Sequence, residues 1–162
     1  MSMISFDAGS HRFHLRAVAI VVRGDEVLLH RAEGDDFWAL PGGRVESGEE
    51  ASTAVVRELQ EELGLVVQPG RLVLLVENFF VYGGLKHHEV GMYFRVDAQA
   101  GSRVLTQPGP YRGVEGAREL VFDWFPRSAL KGVDLRPSFL VQALAAQDLA
   151  FTHVVQRDEN AG

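Results

Sequence analysis

Apolar positions fall along this chain in blocks whose spacing changes from one block to the next. Residues 15–30 carry Val18, Ile20, Val21 and Val22, then a polar break at Arg23-Gly24-Asp25-Glu26, then Val27-Leu28-Leu29. That pattern predicts a β-hairpin. The polar stretch 32–36 reads as a loop and 37–40 as a short extended piece. Pro41-Gly42-Gly43 reads as a tight turn that another group must approach closely. From about Gly48 to Leu63 the spacing lengthens to that of a helix. Its entry is predicted at Ser47, with Glu50 three residues on forming a capping box, and its end at Gly64. Residues 72–81 and 90–96, joined by 82–89, read as long strands. After a Gly/Pro-rich loop at 101–116, residues 120–125 form another strand, and Pro137 opens a second helix over 138–147. Strands mixed with two helices imply one α/β or α+β domain. Its core is expected at about 14–150, with loose tails at 1–12 and 152–162.

The long helix carries the first chemical signal. At about 100° per residue, Ala51, Ala54, Val55, Val56, Leu59 and Leu63 make one apolar face, and Glu58 and Glu62 fall inside it. An acidic run on a helix is ordinarily a solvated face, but these acids interrupt the apolar stripe instead of opposing it. Two carboxylates one turn apart in a core lose hydration and repel each other, so they are either protonated or bridged by a cation. Carboxylates grouped without His or Cys suit a hard divalent ion such as Mg²⁺, which keeps open positions for phosphate oxygens.

Composition narrows the picture. The chain has 162 residues, with 46% apolar and 23% charged, which fits one globular domain and excludes disordered, collagenous and disulfide-scaffold classes. A formal charge of −6 argues against an extended nucleic-acid or anionic-membrane partner. Cysteine is absent, which removes thiolate metal sites and cysteine nucleophiles. No apolar run has membrane-spanning length and no export pattern opens the chain, so a cytoplasmic location is expected.

From Gly43 the chain reads five residues to Glu49, seven more to Arg57, then Arg57-Glu58-Leu59-Gln60-Glu61-Glu62-Leu63-Gly64-Leu65. This resembles the Nudix box, G-x5-E-x7-R-E-U-x-E-E-x-G-U with U aliphatic, at every specified position. By average residue frequencies a chance match in this length is on the order of one in ten million. Trp38-Ala39-Leu40-Pro41-Gly42 before the box also resembles the MutT-like family. The resemblance implies the Nudix fold, a mixed β-sheet sandwiched between helices (α/β/α).

It also implies hydrolysis of a nucleoside diphosphate linked to another moiety, by water attack at phosphorus with Mg²⁺, for which Mn²⁺ can substitute. Glu58 and Glu62, then Glu61 and the Gly42 carbonyl, are the implied metal ligands, and Arg57 with Glu49 steadies the helix. The general base is Glu58 or Glu61, or Glu115 or Glu119 from a later loop, with Glu115 favoured as the outside contributor. Among substrate contacts, Phe37, Trp38, Phe79, Phe80 and Tyr82 offer flat surfaces. His87-His88-Glu89 resembles a His-Glu element of some bacterial relatives, and Arg112 and Arg118 offer guanidinium groups. The sequence leaves the base, the substrate and a homodimer open. Three other readings compete: an isoprenoid diphosphate isomerase, disfavoured by the missing cysteine; a nucleotide-sensing module without catalysis; and RNA decapping, a poor match to an acidic chain.

Overall fold

The computed structural model of the chain describes residues 2–146 and 148–158. In chain order these form β1 (Ser5–Ala8), β2 (His11–Arg23), β3 (Glu26–Ala32), β4 (Gly42–Arg44), α1 (Ala51–Leu63), β5 (Val67–Tyr82) and β6 (Leu85–Ala98). Then come α2 (Arg103–Thr106), β7 (Tyr111–Glu115), β8 (Arg118–Pro126), a 3₁₀ turn (Arg127–Gly132), α3 (Leu140–Ala145) and β9 (Thr152–Asp158). The sheet runs β7-β8-β3-β2-β6-β5-β9, with β1 and β4 also on β2.

Strand β2 is central. Its run Ala17 to Val21 is sealed on both faces, which is why it reads as continuous apolar sequence and not as an alternation. Ala17, Ala19 and Val21 meet Leu59, Val55 and Ala54 of α1 on one side, in a cluster that also takes Phe122 and Trp124 of β8. Val18 and Ile20 meet Leu140 and Leu144 of α3 on the other. Helices therefore cover both faces of a mixed sheet, as the resemblance implies. Only Val22–Val27 and Arg23–Glu26 pair in the predicted hairpin. Beyond them β3 pairs with β8, and β2 turns to β4 and to β6, which runs parallel to it.

Several expectations are corrected. Pro41-Gly42-Gly43 is not a tight turn, because Gly42 and Gly43 open β4, opposite Val18 and Ala17. The predicted close approach is nevertheless there: a Cβ at Gly42 would overlap the Ala17 carbonyl, and one at Gly43 the Glu58 carboxylate. The capping box does not form. Ser47 lies a turn too early and gives its backbone N–H to Ser2, while α1 starts at Ala51 with Glu50 as N-cap and no side-chain bond. Gly64 does end the helix in the left-handed region (φ 66°), with backbone bonds from Gly64 to Gln60 and from Leu65 to Leu59.

The loop predicted at 101–116 holds α2 and β7, and the second helix is shorter than predicted, its expected last residue, 147, lying outside the described residues. Within the described residues the tails are not loose. β1 pairs with β2 over His11–His14, and β9 lies parallel on β5 from Leu74 to Phe80. The rest of the expected frayed tail, 159–162, lies outside the described residues, as does residue 1.

Candidate active site

Helix α1 delivers the acids where its apolar stripe predicts. Glu58 and Glu62 are 6% and 3% exposed, so they lie within the core-facing side and not on a solvated one. The Glu58 carboxylate packs against Gly43, where only a hydrogen in place of a side chain leaves room for it. Both carboxylate oxygens of Glu62 are sealed from solvent without any hydrogen-bond partner. Burial first, then repulsion from Glu58 and Glu115, pushes the Glu62 carboxyl up to about 9, against a smaller pull from Arg16. Glu58 is also raised, by burial before all else, although Arg57 opposes the shift. Glu61 is the outermost of the three, with its side chain 59% exposed.

Arg57 ties this helix down. Its Nε and Nη2 donate to both oxygens of Glu49 at 2.8 and 2.9 Å, Nη1 donates to Glu58 (3.0 Å) and Glu61 (3.2 Å), and Nη2 also reaches the Arg44 carbonyl (3.2 Å). All five N–H groups of the guanidinium are thereby used. The fork holds the Glu49 carboxyl below its ordinary value. With the Glu49 side chain 9% exposed, this is not the loose surface pair that ion-pair counts usually contain.

Glu58 and Glu61 each commit an oxygen to Arg57, and among the described residues no three His, Asp or Glu side chains gather around one point. The donor set still fits a hard divalent cation. Glu62 offers two sealed oxygens that nothing else satisfies, beside a second buried carboxylate and the backbone of β4.

Glu115 ends β7 in a hairpin with β8, opposite Arg118, so the expected loop is ordered strand. The side chain is exposed, and its charge reaches Glu58 and Glu62. Glu119 lies on the same hairpin but interacts with Glu33 and Arg112 instead. Arg112 is 71% exposed and Arg118 is drawn to Asp35 at 3.3 Å.

The other nominated residues divide by strand face. His87 and Glu89 of β6 share a face with Phe80 and Asn78 of β5 and with His14 and Arg16 of β2. There Phe80 stacks on His87 (centroids 4.9 Å, planes 7° apart), and Glu89 accepts from His14 Nε2 at 2.7 Å. Burial works against the Glu89 charge, but the His14 bond and Arg16 outweigh it and keep its carboxyl low. His88 points to the opposite face, between Phe79 and Phe13, because neighbours on a strand alternate. Trp38 rests on Phe125 and under Arg31, and Tyr82 is exposed with its hydroxyl donating to Asp35 and its ring edge-on to Phe37. A small cavity of about 30 Å³ under α3 is lined by none of these residues.

Sequence reasoning missed His14, Arg16 and Arg44. Arg16 stands directly opposite Arg44 across the β2–β4 pair, and its Nη2 donates to the Leu40 carbonyl at 3.0 Å. Burial opposes the Arg16 charge, but Glu89, then Tyr93, Glu62 and Glu115, hold its proton more firmly than usual. No local pattern marks these residues, because they meet the acids only through pairing between distant strands.

The NUDIX domain family model matches residues 13–143. Over 58 residues the chain is 38% identical to the putative ADP-ribose pyrophosphatase YjhB of Bacillus subtilis, covering 36% of this chain and 28% of that protein. Over 67 residues it is 42% identical to an ADP-ribose pyrophosphatase of Methanocaldococcus jannaschii, covering 37% of this chain and 40% of that one. The aligned stretches thus span less than half the length of either relative. Among solved structures, a MutT NUDIX hydrolase from Burkholderia pseudomallei superposes with a TM-score of 0.54 at 29% identity, covering 71% of this chain and 84% of that one.

Proposed function

The chain belongs to the NUDIX family, and from that premise we propose that it hydrolyses the phosphoanhydride bond of a nucleoside diphosphate linked to a second moiety. The observation that carries the reading is Glu62: two sealed carboxylate oxygens without a donor, one turn from buried Glu58. Glu62, Glu58 and the Gly42 carbonyl are the residues to hold Mg²⁺ or Mn²⁺, with Glu61 next. When bound, the ion supplies neutralisation of the diphosphate and a more acidic attacking water.

The chain's own groups do the rest. Arg57, clamped by Glu49, fixes the rotation of α1 and so the direction in which Glu58 and Glu61 present their oxygens. Glu115, exposed and within electrostatic reach of Glu62, takes the proton of the attacking water at its carboxylate. Phe80, Trp38 and Tyr82 offer aromatic surface to the nucleoside. The names of two relatives support a nucleoside diphosphate compound of the ADP-ribose kind as substrate.

The test is incubation with ADP-ribose, other nucleoside diphosphate sugars, dinucleoside polyphosphates and oxidised nucleoside triphosphates, with and without Mg²⁺, and chromatography of the products. Cleavage between phosphates that requires the ion and is abolished in Glu62→Gln is the expected result. Full turnover in that variant overturns the assignment.

A further inference from the structure

Two cations with unspent donors face each other across the β2–β4 pair, one of them within electrostatic reach of Glu62 and Glu115. Arg16 and Arg44 are direct partners across the antiparallel β2–β4 pair, so both side chains leave the sheet on one face, with Cβ atoms about 5 Å apart. Like charges in that position are unfavourable. Neither arginine makes an ion pair among the described residues, and Arg44 makes no side-chain hydrogen bond there either. Arg16 uses one donor, Nη2 on the Leu40 carbonyl, and its Nε is sealed without a partner. The contrast with Arg57 is direct: one guanidinium of the site is saturated by three carboxylates and a backbone carbonyl, and two are almost wholly open.

Their surroundings say what closes the gap. Arg16 lies within electrostatic reach of Glu62 and Glu115, and its one bonded carbonyl, Leu40, is two residues before Gly42. Glu89, the acid on their own face, is already bonded to His14. A ligand that fills this place presents several anionic oxygens to a pair of guanidinium forks on one side and meets carboxylates on the other. A diphosphate has that form, and forks of this kind recognise phosphate oxygens in pairs.

We propose that Arg16 and Arg44, on the face of the β2–β4 pair turned away from α1, grip the diphosphate of the substrate at the open edge of β4, around which the acids of α1 meet it from the helix side. The inference rests on the function proposed above and deepens it by naming the groups that bind the anion directly. Strand β4 then serves the site twice, since its glycines make room for Ala17 and Glu58 while its arginine completes the anion cradle.

Calorimetric titration with two probes, α,β-methylene-ADP and inorganic pyrophosphate, in saturating Mg²⁺ tests it. Arg16→Gln and Arg44→Gln should each weaken both probes about 10-fold or more. Adenosine should respond alike in all forms, and Mn²⁺ affinity should stay within about twofold of the wild type. Undiminished binding of both probes in the two variants overturns the inference. So does a fall in Mn²⁺ affinity by the same factor, since the arginines would then act on the acids and not on the ligand. If the glutamine variants fail to fold, Arg16→Lys and Arg44→Lys keep the charge but lose the fork. Several-fold weaker pyrophosphate binding is then expected, and wild-type affinity refutes the grip. A wild type that neither binds the probes nor hydrolyses any diphosphate removes the proposed function itself, whereas turnover with unaltered binding in the variants removes only this inference.

Discussion

Replacing Glu62 with glutamine separates the electrostatic cost of the acid cluster from its chemistry. In the ion-free chain the Glu62 carboxyl is raised from 4.5 to about 9, by burial and by Glu58 and Glu115. Between those values the folded chain keeps a proton that the unfolded chain has released, so stability falls as pH rises. One proton gives a slope of at most about 1.4 kcal/mol per pH unit. From pH 6 to pH 8 that is about 3 kcal/mol, a large share of the roughly 5–15 kcal/mol that holds a domain together. Glutamine has the same shape and no proton to lose. Urea denaturation in EDTA should therefore show the wild type about 2 kcal/mol less stable than the variant at pH 6, and about 3 kcal/mol less stable again at pH 8. Mg²⁺ at about a hundred times its dissociation constant should return nearly 3 kcal/mol to the wild type and little to the variant. Parallel pH curves for the two proteins in EDTA, or equal stabilisation of both by Mg²⁺, would refute the claim that an isolated buried charge at Glu62 calls for the ion.

Three further outcomes follow from the geometry. His30 is buried beside Phe122 and held neutral, its value lowered to about 3 by burial and by Arg16. Stability should thus fall below about pH 6.5 as the unfolded chain takes up the proton, and His30→Leu should flatten that limb in acid titrations followed by fluorescence. A double-mutant cycle on Arg57→Ala and Glu49→Ala should give a coupling of about 2 kcal/mol, well above the surface-pair range, and a value under 0.5 kcal/mol would show the fork to be idle. Glu115→Gln should lower kcat by about 10²-fold or more without lowering the melting temperature, because the side chain is exposed and the change removes its repulsion of Glu58 and Glu62; unchanged kcat would take Glu115 out of the proton transfer.

What the sequence disclosed was whatever a single segment states by itself. The period of α1 located Glu58 and Glu62 in the core, and the same segment supplied Gly64 and the spacing from Glu49 to Arg57. The glycines of β4 were recognised as places of close approach but taken for a turn, since a three-residue strand offers no period to read. The faces of β2, β5 and β6 were not legible. Whether His88 or Glu89 joins the acid side depends on register with partners some 75 residues away, and Arg16 with Arg44 depends on β4 crossing back to β2. Strand β8 was legible at 120–125, but its partner β7 was hidden for another reason: an exposed edge rich in Gly, Arg and Glu has the composition of a loop.

The parallel seating of β9 on β5 covers a strand that would otherwise lie at the edge of the sheet. The partner strand is 16 residues long and carries Leu72, Val73, Leu74, Leu75 and Val76 in succession, and β9 occupies the side that would otherwise offer its unpaired amides and carbonyls to a neighbour. Polar, half-exposed and easily mistaken for dispensable sequence, residues 152–158 act as a guard against intermolecular strand addition. Cutting them away would therefore show first as aggregation, before any change at the acids of the helix.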